Sequence, residues 1–132
     1  MILGLGLDVV EISRIKQTWE RFGDRFAQRI LHADELSRFT HLNSTIVQFL
    51  ASRFAAKEAA VKALGTGFSN GIAPSDIAVI TLPGGKPELQ LHNQAQRQYN
   101  DMKANRVHLS LTHGKETVAA VVILECIPTR FQ

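Results

Sequence analysis

A long alanine-rich stretch, opening at Asn43 or Ser44 and running to about Leu64, constrains this chain more than any other feature. Asn43 or Ser44 supplies an N-cap, since a short polar side chain can accept from the first free amides of a helix. Gly65-Thr66-Gly67 stops it. The segment carries Phe49, Leu50, Phe54, Val61 and Leu64 among small alanines, which allow close approach from another layer. A fold built on this chain therefore has a long helix with something packed tightly against it.

The remaining segments supply that layer. Residues 2–10 alternate: Leu3, Leu5, Leu7 and Val9 point one way, and Gly4, Gly6 and Asp8 the other, which predicts a strand. From about Glu11 to Leu31 the spacing becomes helical through Ile12, Ile15, Trp19, Phe22, Phe26 and Ile30, with a candidate break at Gly23-Asp24. Ala33 to His41 reads as a short helix with Asp34 and Glu35 in its first turn. Ile77 to Leu82 and Pro87 to Leu91 form a hairpin around Pro83-Gly84-Gly85-Lys86. A polar helix from Asn93 to about Ala104 precedes two strands, Val107 to Thr112 and Thr117 to Glu125. Helices grouped early and hairpins late argue for an α+β fold, an antiparallel sheet packed against the long central helix. At 132 residues, one domain spanning 1–132 is expected.

Three constellations could carry chemistry. In Gly4-Leu5-Gly6-Leu7-Asp8 one strand face has no side chains until a carboxylate appears, and glycine in a strand often marks a close approach. A dinucleotide-binding G-x-G-x-x-G is excluded, because position 9 is Val9. Taken alone, Asp8 reads as a polar residue at a strand end. Glu58, Lys62 and Gly65 share one face of the long helix, with Arg53 and Lys57 on another. Glu58 and Lys62 are an ordinary i,i+4 surface pair, or they join Asp8. Two carboxylates of this kind suit a magnesium ion, which takes one or two protein carboxylates and leaves its other positions to water and phosphates. Lys62 would then offset charge on a phosphate, and the Gly-Thr-Gly turn would offer free amides. Third, if Glu11–Leu31 is continuous helix, Arg14, Arg21, Arg25 and Arg29 lie within about a quarter of its circumference, interleaved with Trp19, Phe22 and Phe26. Such a stripe is a binding surface or a solvated face. His113, at the turn after Val107-His108-Leu109-Ser110-Leu111-Thr112, reads alone as a surface residue.

Composition narrows the setting. Fifteen Lys and Arg against twelve Asp and Glu give a net charge of +3, which favours an anionic partner. No apolar run approaches the roughly 18–20 residues that cross a bilayer, so no membrane association is expected. The N-terminus reads as a strand and not as a signal peptide. The single Cys126 excludes an internal disulfide and a cysteine-based zinc cluster, and a reducing cytoplasm is the natural inference.

Several segments together resemble a known family. Gly6-Leu7-Asp8-Val9-Val10-Glu11-Ile12-Ser13-Arg14-Ile15 and the run from Arg53 through Lys57-Glu58-Ala59-Ala60-Val61-Lys62 to Gly67 are similar to the two signatures of the holo-acyl-carrier-protein synthase type of phosphopantetheinyl transferase. Arg25 to Leu31, Gly85-Lys86-Pro87 and Ser110 to His113 resemble lesser family segments. The resemblance implies transfer of the phosphopantetheine arm of coenzyme A to a serine of an apo acyl carrier protein, releasing adenosine 3′,5′-bisphosphate, a step serving fatty acid biosynthesis. It implies that Asp8 and Glu58 bind magnesium and that Lys62 contacts the phosphates. It places Arg53, Gly65, Thr66, Gly67, Pro87 and His113 around the nucleotide, and Arg14, Arg21, Arg25, Phe26 and Arg29 against the acidic carrier. It further implies a homotrimer with active sites shared between subunits.

One departure stands out. Many relatives carry basic residues just before the long helix, near the 3′-phosphate, whereas Asn43-Ser44-Thr45-Ile46-Val47-Gln48 is uncharged. Two other readings compete with the transferase. A non-catalytic module could bind an acidic protein through the arginines; no nucleic-acid-binding signature accompanies them. A magnesium-dependent pyrophosphate hydrolase would use the same carboxylates with water as nucleophile.

Overall fold

In the computed structural model of the chain, which describes residues 1–39 and 45–128, the first strand lies directly on the long helix. Strand β1 is Ile2–Glu11, followed by helices α1 (Ile12–Phe22), α2 (Asp24–Ile30), α3 (Ala33–Phe39) and α4 (Ile46–Leu64). A 3₁₀ turn at Pro74–Asp76 leads into the hairpin β2 (Ile77–Thr81) and β3 (Pro87–Leu91). Helix α5 (Asn93–Asp101) and the strands β4 (Arg106–His113) and β5 (Thr117–Glu125) complete the chain. Strands β1, β5 and β4 form one antiparallel sheet in that order, and β2 and β3 a second. This is the α+β architecture expected, with α4 packed on both β1 and β5. The proposed caps Asn43 and Ser44, and the proposed end of α3 at His41, lie outside the described residues.

Glycine makes the contact between β1 and α4 possible. A Cβ on Gly4 would stand 2.0 Å from the Ala63 carbonyl oxygen, and one on Gly6 1.8 Å from that of Ala59. The strand thus rests on helix backbone, with alanines opposite. The inner face of the sheet is completed by Val118, Ala120, Val122 and Leu124, all buried. The outer face is different: Leu5, Leu7 and Val9 stay about 60% exposed, at 62%, 60% and 61%. They stand opposite Ile123, Val121 and Ala119 on β5. The leucine side of β1 is therefore the outside of this chain, and the glycine side its interior.

Lys57, on the same face of the long helix as Arg53, is an interior cation. Its ammonium is fully buried and donates to Glu35 Oε1 at 2.6 Å, to the Pro74 carbonyl at 3.1 Å, and to the carbonyl of Ile77. Glu35 also accepts from the amides of His32 and Val79, at 2.9 and 3.1 Å. Burial pushes the Lys57 pKa down and the Glu35 charge opposes it. The pair ties α3, α4 and β2 together from inside the fold. Among the described residues, no helix is long and apolar enough to cross a membrane.

Candidate active site

β1 and α4 bring Asp8, Glu58 and Lys62 together. Because the Gly4–Gly6 face is pressed onto the helix, Asp8, next on that face, meets the helix side chains beside Ala59 and Ala63. Lys62 Nζ donates to Asp8 Oδ1 at 3.0 Å and to the Leu7 carbonyl at 2.9 Å. Glu58 sits one turn earlier on α4 and lines, with Asp8, Arg14, Phe26 and Phe54, a cleft of about 290 Å³. Its pKa is raised, first by desolvation and then by the Asp8 charge, against the opposing Lys62. A half-buried carboxylate beside a second one favours an added positive charge. That fits a hard divalent cation with an incomplete protein shell. Among the described residues no group of three His, Cys, Asp or Glu converges, so a richer cage is absent there.

A larger apolar groove of about 430 Å³ adjoins this cleft and shares Phe26, Phe54 and Glu58 with it. Arg25 and Arg29 lie on its walls with Phe22 and Phe68. The arginines do not lie on one continuous helix. Gly23 at φ +54° separates α1 from α2, which divides the series into Arg14 and Arg21 on one helix, Arg25 and Arg29 on the next. Arg14 lines the carboxylate cleft, whereas Arg21 packs over the Phe22 ring at 5.1 Å.

Arg53 and His113 are elsewhere. Both line a separate cleft of about 340 Å³ that shares no residue with the Asp8 cleft. Arg53 is only 8% exposed and stacks on the Phe49 ring at 4.2 Å. It donates through Nη2 to Thr81 Oγ1 at 3.1 Å and through Nη1 to Ser52 Oγ at 3.3 Å. Pro87 pairs with Thr81 across the hairpin, which puts it near the same guanidinium. The expected free amides of Gly65-Thr66-Gly67 are already engaged: Gly65 N donates to Lys62 O, and the next two amides to Val61 O. With Gly65 at φ +80°, the turn caps the helix and returns those donors to its last carbonyls. Arg38, on α3, also lines the Arg53 cleft and escaped the sequence reading, because a single arginine ending a short helix has no motif around it.

The model of the 4′-phosphopantetheinyl transferase superfamily matches residues 4–122. The chain belongs to this superfamily. Within it, the similar curated and solved proteins are holo-[acyl-carrier-protein] synthases. That of Nitratidesulfovibrio vulgaris (strain DP4) is 58% identical over 125 residues, covering 95% of this chain and 99% of its own. The crystal structure from Neisseria meningitidis superposes with a TM-score of 0.86 at 38% identity, over 95% of this chain and 99% of that one. A structure from Bacillus anthracis str. Ames in complex with CoA (3′,5′-ADP) gives 0.80, also at 38%, over 96% and 99%.

Proposed function

We propose that this chain transfers the 4′-phosphopantetheine arm of coenzyme A to a serine of an apo acyl carrier protein, with magnesium held by Asp8 and Glu58. The juxtaposition of Asp8, Glu58 and Lys62 carries the reading, in a chain whose superfamily and relatives perform this chemistry. The serine oxygen forms a bond to the β-phosphorus of coenzyme A, the pyrophosphate P–O bond breaks, and adenosine 3′,5′-bisphosphate departs. The serine proton passes to Glu58 or to a water beside it. Magnesium, when bound, supplies charge neutralisation across the pyrophosphate. Lys62 donates toward the phosphate oxygens from the position where it now meets Asp8 Oδ1. Arg14, Arg25 and Arg29 on the cleft walls offer an acidic carrier a charged approach, with Phe26 between them.

The working unit is a homotrimer. Leu5, Leu7 and Val9 leave an apolar sheet face uncovered, and each would contribute roughly 1.5–3 kcal/mol if fully buried. The Arg53–His113 cleft is separate from the carboxylates within one chain, so a neighbouring copy can supply it to complete each site. Coenzyme A, a carrier protein and the free Cys126 fit a reducing cytoplasm.

The test is a mass measurement. Apo carrier incubated with coenzyme A, magnesium and this protein should gain one phosphopantetheine. No gain with several carriers would sink the proposal, and coenzyme A cleavage without carrier would favour a hydrolase.

A further inference from the structure

One cation already touches the carboxylate pair. Lys62 Nζ donates to Asp8 Oδ1 at 3.0 Å and to the Leu7 carbonyl at 2.9 Å, so α4 reaches across to β1. The Asp8 side chain is largely buried and that of Lys62 half exposed. The contact is thus fixed at one end only: the strand holds the carboxylate, while the lysine stem has room to turn. An ammonium has three donors, and two are engaged here among the described residues. Lys62 follows Glu58 by one turn of α4, and its charge acts on that carboxylate too. Arg14 lines the same cleft but comes within 4 Å of neither carboxylate, so among the described residues Lys62 is their one close cation. Like charges a few ångströms apart repel. An ammonium and a divalent cation on Asp8 Oδ1 therefore weaken each other.

We propose that Lys62 is an exchangeable counter-ion, which competes with a divalent cation for Asp8 Oδ1 and passes its ammonium to a diphosphate oxygen when coenzyme A binds. Metal and coenzyme A are then taken up together, each tightening the other. The identity of the diphosphate rests on the transferase reading above; the competition rests on the contact itself. Lysine suits such an exchange, because its ammonium is a compact charge with rotatable donors and no fixed fork to realign. The Leu7 carbonyl gives Nζ a second hold on β1 that does not depend on the carboxylate. An ordinary surface ion pair makes the opposite demand. If Lys62 only ordered Asp8, its loss would leave metal binding unchanged or weaker.

Manganese, which shares the preference of magnesium for carboxylates and water, is a paramagnetic probe that needs no turnover. Titrated into the intact protein without coenzyme A or carrier, it should bind Lys62→Met about tenfold more tightly than the wild type, because one repelling charge is gone. Lys62→Arg keeps the charge and should show no such gain, while Asp8→Asn should bind most weakly. Coenzyme A should then tighten manganese binding more in the wild type than in Lys62→Met. Binding by Lys62→Met no tighter than wild type overturns the proposal. A gain shared by Lys62→Arg does the same, as does a coenzyme A effect of equal size in wild type and Lys62→Met. If Lys62→Met gains manganese affinity while the wild type modifies no carrier, the competition at Asp8 stands and the transferase reading falls.

Discussion

Lys62 Nζ lies 3.0 Å from Asp8 Oδ1, joining residues 54 positions apart at the edge of a cleft that also holds Glu58. The Lys62 side chain is half exposed, so the contact adds little stability. In the proposed reaction it places an ammonium where phosphate charge develops. Lys62→Ala should therefore slow phosphopantetheine transfer about 10²–10³-fold, the range found when a transition-state donor is removed, with an almost unchanged melting temperature. Mass spectrometry of carrier modification reads the rate. A rate within about threefold of wild type would remove Lys62 from the chemistry.

Glu58 makes a pH-dependent prediction for chelator-treated protein. Its folded pKa is raised, so the folded state holds the proton more tightly than the unfolded chain does. Stability contributed by that proton is present at low pH and lost as pH rises from the ordinary carboxylate value through the raised one. Glu58→Gln removes the penalty. It should raise the melting temperature by about one to two degrees at pH 7, a small gain because solvent screens the group. The gain should vanish below the ordinary carboxylate value. Added magnesium should stabilise the wild type and not the variant. A variant that gains nothing at pH 7 would show that neither burial nor the Asp8 charge penalises the Glu58 carboxylate.

Gly6 has no room for a side chain. Gly6→Ala places a carbon on the Ala59 carbonyl and should destabilise the fold by about 3 kcal/mol, because backbone and not a flexible side chain must yield. Denaturant unfolding measures this. A cost below about 1 kcal/mol would mean that β1 and α4 separate easily.

The Lys57–Glu35 pair should behave as a coupled interior unit. Lys57→Met leaves the Glu35 carboxylate buried without its cation and should cost about 3–5 kcal/mol. Adding Glu35→Gln should recover part of that loss. A double-mutant cycle with no coupling would show that the two ions contribute independently.

The outer face of β1 yields a prediction about assembly. Leu7→Asp should convert a trimer into 14.6-kDa monomers by light scattering, with loss of transfer activity. A wild type that is monomeric and fully active would refute the shared site.

The order and type of the elements were legible in the sequence, because period-2 alternation in 2–10 and the alanine-rich run to Leu64 leave few alternatives. The carboxylate cleft was legible too, since glycine spacing on β1 and a shared face on α4 are local patterns. The side of β1 that turns inward was not decided, as apolar side chains ordinarily face a core. The burial of Lys57 was not legible, because its partner, Glu35, is 22 residues away. The separation of Arg53 and His113 from Asp8 depends on where α4 crosses the sheet, which no local pattern records.

The glycines of β1 also act as an alignment gauge. The ladder to β5 would form equally well with either face of the strand turned inward, since main-chain hydrogen bonds do not sense side-chain size. The helix backbone does. A slip of one residue would carry a leucine into the space that Gly4 or Gly6 leaves against Ala63 and Ala59. Volume, more than hydrogen bonding, thus selects the pairing offset, and the same selection delivers the Asp8 carboxylate to Lys62.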